Sequence, residues 1–271
     1  MDAQCFIAEF GHIANAPGGV ARLRELVLFL AVRGKLVTQQ FNPMNPIFVR
    51  SEIQRDKKGE KRTRFRILGA IENSDEPYPI PETWSWIRLG ELVDVLDSRR
   101  MPITKSHRKT GPYPYYGASG AVDSVADYIF DEPLVLVGED GARWGRGEKS
   151  AFKISGKTWV NNHAHVLRTK QGLLSDDYLV TVLVEMDMEP YITGMTVPKL
   201  NQTRLISVPI PLPPTEEQSR IVAKVDELMA LCDQLEAQQQ SRRHVPRRTA
   251  HRLDAPGRQL RPTVQRAGGC G

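Results

Sequence analysis

Three polar clusters hold most of the side chains in this chain that could grip a ligand. Residues 97–109, DSRRMPITKSHRK, carry Arg99, Arg100, Lys105, Arg108 and Lys109 and lead into the aromatic run Tyr113-Pro-Tyr-Tyr. The glycine-bracketed segment 141–149 adds Arg143, Trp144, Arg146 and Lys149. Thr196, Lys199, Asn201, Gln202 and Arg204 form the third. A guanidinium matches the paired acceptors on the guanine edge, and Lys and Arg together neutralise phosphates. The chemistry on offer is therefore that of a nucleic-acid surface. Any one cluster also suits a solvated loop; three of them in a single stretch point to a directed surface.

Catalytic patterns fare worse. GRGEKS (145–150) looks like a phosphate loop, but Glu148 stands between Gly147 and Lys149, so the required Gly-Lys-Ser/Thr order is not met. His163 and His165 in NNHAH alternate, so a strand would aim both to one side, where they could share a metal. Cysteine is missing from their neighbourhood and no third ligand is evident, which favours a structural pair over a metal-dependent hydrolase. Asp140 beside Gly141 reads as a turn. These residues argue for a non-catalytic, binding protein.

The elements that must carry the clusters come next. VARLRELVLFLAVR (20–33) places Val20, Leu23, Val27 and Leu30 on one helical face, with Gly34 where a left-handed cap would sit. Residues 50–66 are charge-dense with no apolar face and read as a linker. The prolines of EPYPIP (76–81) end any helix. From Thr83 to Leu212 short apolar runs alternate with Gly, Pro, Asp and Ser: Ile87–Val95, Tyr128–Phe130, Leu134–Val137 and Val160–Leu167 read as strands, Ser175–Met186 as a helix. Ile206, Val208, Ile210 and Leu212 alternate with Ser207, Pro209 and Pro211, the pattern of an edge strand. Thr215-Glu-Glu-Gln is then a capping box opening a helix over 215–240. Its Ile221, Val225, Leu228, Cys232 and Leu235 form a heptad seam that either packs on its own domain or, the favoured reading for a narrow and sustained stripe, pairs with another helix.

Charge and cysteines bound the class. The formal net charge is +5, but residues 241–271 hold eight Arg against one acid, leaving 29 basic and 31 acidic residues in the preceding 240. DNA binding by the body therefore has to rest on a local patch. The tail lacks periodicity; its abrupt break from the heptad reads as a frameshift product, and a basic arm on phosphates is the rival. Three scattered cysteines and the absence of an apolar run long enough to span a bilayer point to a reducing cytoplasm.

At this point the residues resemble a known family, the DNA-specificity (S) subunits of Type I restriction–modification enzymes. IPETWSWIRLGEL (80–92) resembles the entry to a target recognition domain. YYGASGAV, LVLVGEDGA, VNNHAHVLR and the long block GMTVPKLNQTRLISVPIPLPPTEEQSRIVAKVDEL resemble its later parts and the connecting helix, and APGGVARLRELVLFLAVRGKLVTQ the leading segment. The resemblance covers roughly 15–240 and implies sequence-specific recognition of double-stranded DNA beside methyltransferase (M) and restriction (R) subunits. S-adenosylmethionine, ATP and Mg would belong to those partners, and this chain would hold no cofactor. Such subunits usually carry two recognition domains; this sequence shows one, so it resembles a half-subunit that dimerises through the long helix, or a truncated remnant. A protein–protein adaptor is the competing class. The expected architecture is α+β: a helical segment (1–49), a charged linker (50–79), a β-rich recognition domain (80–212), a coiled-coil-like helix (213–240) and the Arg-rich tail (241–271).

Overall fold

The computed structural model describes residues 16–39 and 76–244, with Ile13 and Ile71 as isolated positions. The charged linker at 50–66 and the tail beyond His244 lie outside the described residues. The architecture is α+β.

The amphipathic stretch at 20–33 forms helix α1 (Gly19–Ala31), with Val20, Leu23, Val27 and Leu30 buried. Gly34 ends it at φ 65°, and the Lys35 amide returns to the Leu30 carbonyl at 2.9 Å. A Cβ on Gly34 would stand 2.4 Å from Pro81 Cγ, so this glycine also lets the proline-rich segment close over the helix end.

The run Ile87–Val95, expected as one strand, is divided. It forms β1 (Ser85–Arg88), a single helical turn α2 (Leu89–Leu92) and β2 (Val93–Val95). The division lets one short stretch serve two sheets. There follow β3 (Tyr113–Gly117), β4 (Gly120–Val125), β5 (Phe130–Asp131), β6 (Leu134–Gly138), β7 (Ala151–Ile154), β8 (Lys157–Val160) and β9 (Ala164–Thr169). Helices α3 (Asp176–Glu185) and α4 (Gln202–Ser207), strand β10 (Pro209–Leu212) and helix α5 (Thr215–His244) complete the order.

The strands form an antiparallel pair β1-β10, a four-stranded sheet β2-β9-β6-β7, and a second four-stranded sheet β4-β3-β8-β5. In the second, β3 and β8 run parallel; the other pairings are antiparallel. Strand β6 shows why one sheet is central. Val135 and Val137 join the core shared with the helices, while Leu134 and Leu136 join the core shared with Phe130 and Val160 of the second sheet. A strand buried on both faces has to be apolar throughout, and LVLVG is buried at all five positions.

Two local expectations are corrected. Ile206 and Ser207 belong to α4, because the Asn201 side chain caps that helix by accepting from the Arg204 amide at 3.0 Å; the strand starts only at Pro209. The capping box at 215–218 is not formed either. Thr215 Oγ1 donates to the Gly172 carbonyl at 3.1 Å, and the buried Gln218 side chain accepts from the Ser175 amide at 2.9 Å and donates to the Leu173 carbonyl at 2.8 Å. The side chains expected to cap α5 instead tie it to the loop before α3.

The heptad seam is covered from inside the chain. Ile221, Val225, Leu228 and Cys232 are buried, and Leu235 is partly buried, in the core that α5 shares with α1 and α3. Arg24 of α1 adds bonds to Asp233 at 2.6 Å and Glu236 at 2.8 Å. As far as Cys232 the seam is therefore packed on the chain's own α1, not left open for a helix of another chain as the favoured reading had it. No described helix is long and apolar enough to cross a membrane.

Candidate nucleic-acid interface

The three polar clusters emerge from loops of the β-rich region, and the fold treats their side chains very differently. In the first, Arg99 lies over the Phe130 ring at 4.6 Å and donates to the Ile129 carbonyl at 2.9 Å, with Glu132 at 3.3 Å. Arg108 covers the Tyr115 ring at 4.4 Å and reaches Asp123 at 3.0 Å. That guanidinium, with help from the Ser124 amide, holds the Asp123 carboxyl below its usual range. Arg100 is nearly buried and spends its donors on the Asp97 and Ala164 carbonyls and on Glu139. Lys105 and Lys109 remain exposed.

The second cluster is open. Arg143, Arg146 and Lys149 are all exposed, and the Arg143 side chain, 84% exposed, faces only Glu148 at 3.8 Å. Trp144 fixes the segment from beneath: it is buried, and its indole N–H donates to the Gly138 carbonyl at 3.2 Å. The Gly147 amide donates to the Val184 carbonyl at the end of α3, and Arg146 lines a cleft with Leu26 and Phe29 of α1. In the third cluster Thr196, Gln202 and Arg204 are exposed, Asn201 serves as a helix cap, and Lys199 binds Glu139 at 2.8 Å.

Between these loops lies a buried charge network that the sequence reading missed. Asp97, Glu139 and His165 form a group of acid and imidazole side chains close enough to share a metal ion. His165 Nδ1 meets Asp97 at 2.5 Å and Nε2 meets the Leu200 carbonyl at 2.7 Å. The Leu200 carbonyl can only accept, so Nε2 donates to it. Glu139 is further held by Arg100 and Lys199. Burial pushes its carboxyl up, but the hydrogen bonds from Lys199 and Arg100 and the charge of His165 outweigh that and leave it below the ordinary glutamate range. In turn the Lys199 ammonium is raised by its bond to Glu139.

Two cationic side chains therefore already neutralise the carboxylate a divalent ion would need, and both imidazole nitrogens already have partners. The pairing of His163 with His165 is also undone: His163 lies ahead of β9, half exposed on Asp140, while His165 is buried. What the network does is fasten. It joins the 97–100 turn, the end of β6, strand β9 and the Lys199–Leu200 segment. The legible signal was an acid closing the buried run LVLVGE and a histidine inside the apolar run AHVL.

With this geometry described, the chain can be set beside known proteins. A family model described as Type I restriction modification DNA specificity domain matches residues 81–242. A putative type I restriction enzyme specificity subunit of Haemophilus influenzae is 35% identical over 146 residues, 54% of this chain and 37% of that relative. The type I restriction enzyme EcoEI specificity subunit of Escherichia coli is 27% identical over 249 residues, 81% of this chain and 41% of that relative. The chain thus spans about two fifths of the length of these curated relatives. A solved chain, from work on complex assembly and conformational transition of the type I R-M system, aligns over 89% of this chain and 54% of its own length. Its TM-score is 0.50 at 18% identity, a likeness of fold.

Proposed function

The chain belongs to the Type I restriction modification DNA specificity family, and from that premise we propose that it reads duplex DNA without cutting it, as the recognition subunit of a restriction–modification complex. Methyltransferase and restriction subunits supply the catalysis, with S-adenosylmethionine, ATP and Mg bound there. The observation that carries this reading is the open loop 141–149. Arg143, Arg146 and Lys149 project from a buried Trp144 anchor, in a body whose charge is otherwise balanced. Lys105, Lys109, Gln202 and Arg204 extend the polar surface, while Arg99, Arg100, Asn201 and Arg108 shape the loops that present it.

Helices α1 and α5 form the scaffold on which partners dock. The seam is filled by α1 up to Cys232, with Leu235 partly buried on the same core and Glu236 held by Arg24; the remainder of α5 is the segment we assign to coiled-coil-like pairing, with a second copy supplying the other half-site.

The test is selection from a pool of random duplexes by the full chain co-purified with its methyltransferase subunit, followed by binding over a salt series. One enriched sequence with affinity that falls steeply with salt supports the reading. Retention of the methyltransferase subunit without enrichment or salt dependence would make the chain a protein–protein adaptor.

A further inference from the structure

Residues 193–199 form a tight hairpin whose construction exceeds what a connecting loop requires. Thr193 and Lys199 exchange both backbone hydrogen bonds, each 2.8 Å, and Thr193 Oγ1 donates to the Lys199 carbonyl at 3.1 Å. Gly194 sits at φ 90°, and a Cβ there would stand 2.4 Å from the Val197 carbonyl oxygen. Only glycine closes such a turn without strain. The base is fastened by the buried network: the Leu200 amide donates to the Glu139 carbonyl, His165 to the Leu200 carbonyl, and the Lys199 ammonium to the Glu139 carboxylate.

What this fastened loop presents is apolar. Met195 is fully exposed and Val197 is 65% exposed, the two most exposed large hydrophobic side chains among the described residues. An antiparallel bridge between Asp140 and Lys199 sets the hairpin beside the start of the open segment 141–149, whose Arg143 side chain stands in solvent. Apolar tip and exposed cation thus emerge from two bridged segments.

We infer that Met195 and Val197 are an apolar wedge that presses on a base step in a groove of duplex DNA, while Arg143 takes an adjoining phosphate. The inference rests on the DNA reading proposed above and adds to it the element that deforms or probes the bases. Wedges of this kind insert between base steps and are accompanied by cations on the flanking backbone. Two side chains fall far short of the roughly 800 Å² per partner that a stable protein interface covers, but they are enough to fill one step. Rigidity matters because a wedge must not fold back when it meets resistance, and the hairpin is anchored through a buried network rather than by its own turn alone.

The experiment uses the full chain with its methyltransferase subunit and the duplex enriched from the random pool, with 2-aminopurine replacing each adenine in turn. Wild type should raise the fluorescence at one step, which reports unstacking. A Met195→Ser, Val197→Ser double variant should lose that rise and bind about tenfold more weakly, the scale of a lost base contact. The slope of affinity against salt should not change, since phosphate contacts remain. Both side chains lie outside the core, so the variant should keep the parent's thermal midpoint. Equal binding and equal fluorescence would overturn the wedge while leaving the DNA reading intact. A variant that binds DNA normally yet loses the methyltransferase subunit would also overturn it, by making the hairpin a protein contact. If wild type enriches no duplex at all, the DNA reading itself falls and the wedge with it.

Discussion

Segments 97–109 and 141–149 are both basic and both follow a strand of the same four-stranded sheet, yet their arginines end in different places. In the first, Arg99, Arg100 and Arg108 each find carboxylates, carbonyls or aromatic rings within the chain. In the second, Arg143 has one acid at 3.8 Å and remains 84% exposed. The difference follows from what each segment crosses. Residues 97–109 run past the ends of two sheets, where Asp97, Glu139, Asp123 and Glu132 need counter-charges. Residues 141–149 are held by Trp144 and backbone bonds, which leaves their cations exposed, Arg143 with only a long contact to Glu148. A guanidinium serves a ligand only where the fold has not already supplied its acceptors.

Substitution of one arginine from each segment puts the contrast to measurement. Arg100→Ala leaves Glu139 and Asp97 short of a buried cation, and breaking such pairs costs about 3–5 kcal/mol. The lower end is expected because Lys199 and His165 still face Glu139; urea unfolding reads the loss directly. Arg143→Ala should leave stability within about 0.5 kcal/mol of the parent. Its effect should appear in binding instead, with affinity reduced and the salt slope shallower by about one counterion. Equal losses of stability for the two variants would erase the contrast. A binding defect confined to Arg100→Ala, at temperatures where that variant is folded, would reverse it.

Local rules made much of this molecule legible. Gly34 at the end of α1, the helix starting after Ser175 and the apolar stripe from Ile221 to Cys232 were legible because helix periodicity and capping are encoded within a few residues, although what covers that stripe was not. What stayed hidden depended on partners distant in the chain. Trp84 lies 133 positions from Glu217, to which its indole N–H donates, and Arg24 lies 209 positions from Asp233. The capping box failed for the same reason: the loop before α3 offered Gln218 better partners than its own helix did. The buried network draws its members from residues 97, 100, 139, 165 and 199, so none of its pieces stood out alone. Met195 and Val197 stand among polar neighbours with no local pattern that marks their exposure, and the bridge that sets their hairpin beside the open segment joins residues 59 positions apart, Asp140 and Lys199.

The smallest effect separates the two segments by pH. Glu139 is held below the ordinary glutamate value of about 4.3 in the folded protein. A carboxyl depressed in the native state contributes stability that is fully present above its unfolded value and is lost as pH falls through the folded one. Wild type should therefore lose unfolding free energy as pH drops below about 4.3, beyond the loss shown by Glu139→Gln, whose amide cannot titrate. The two proteins should differ most near neutrality and converge in acid. Arg143→Ala should run parallel to wild type across the same range, because Arg143 has no part in that network. If the wild-type and Glu139→Gln curves instead stay a constant distance apart, Glu139 contributes by shape rather than charge. Arg100 would then owe its burial to its bonds with Asp97 and the Ala164 carbonyl rather than to the charge of Glu139, and its contrast with Arg143 would narrow.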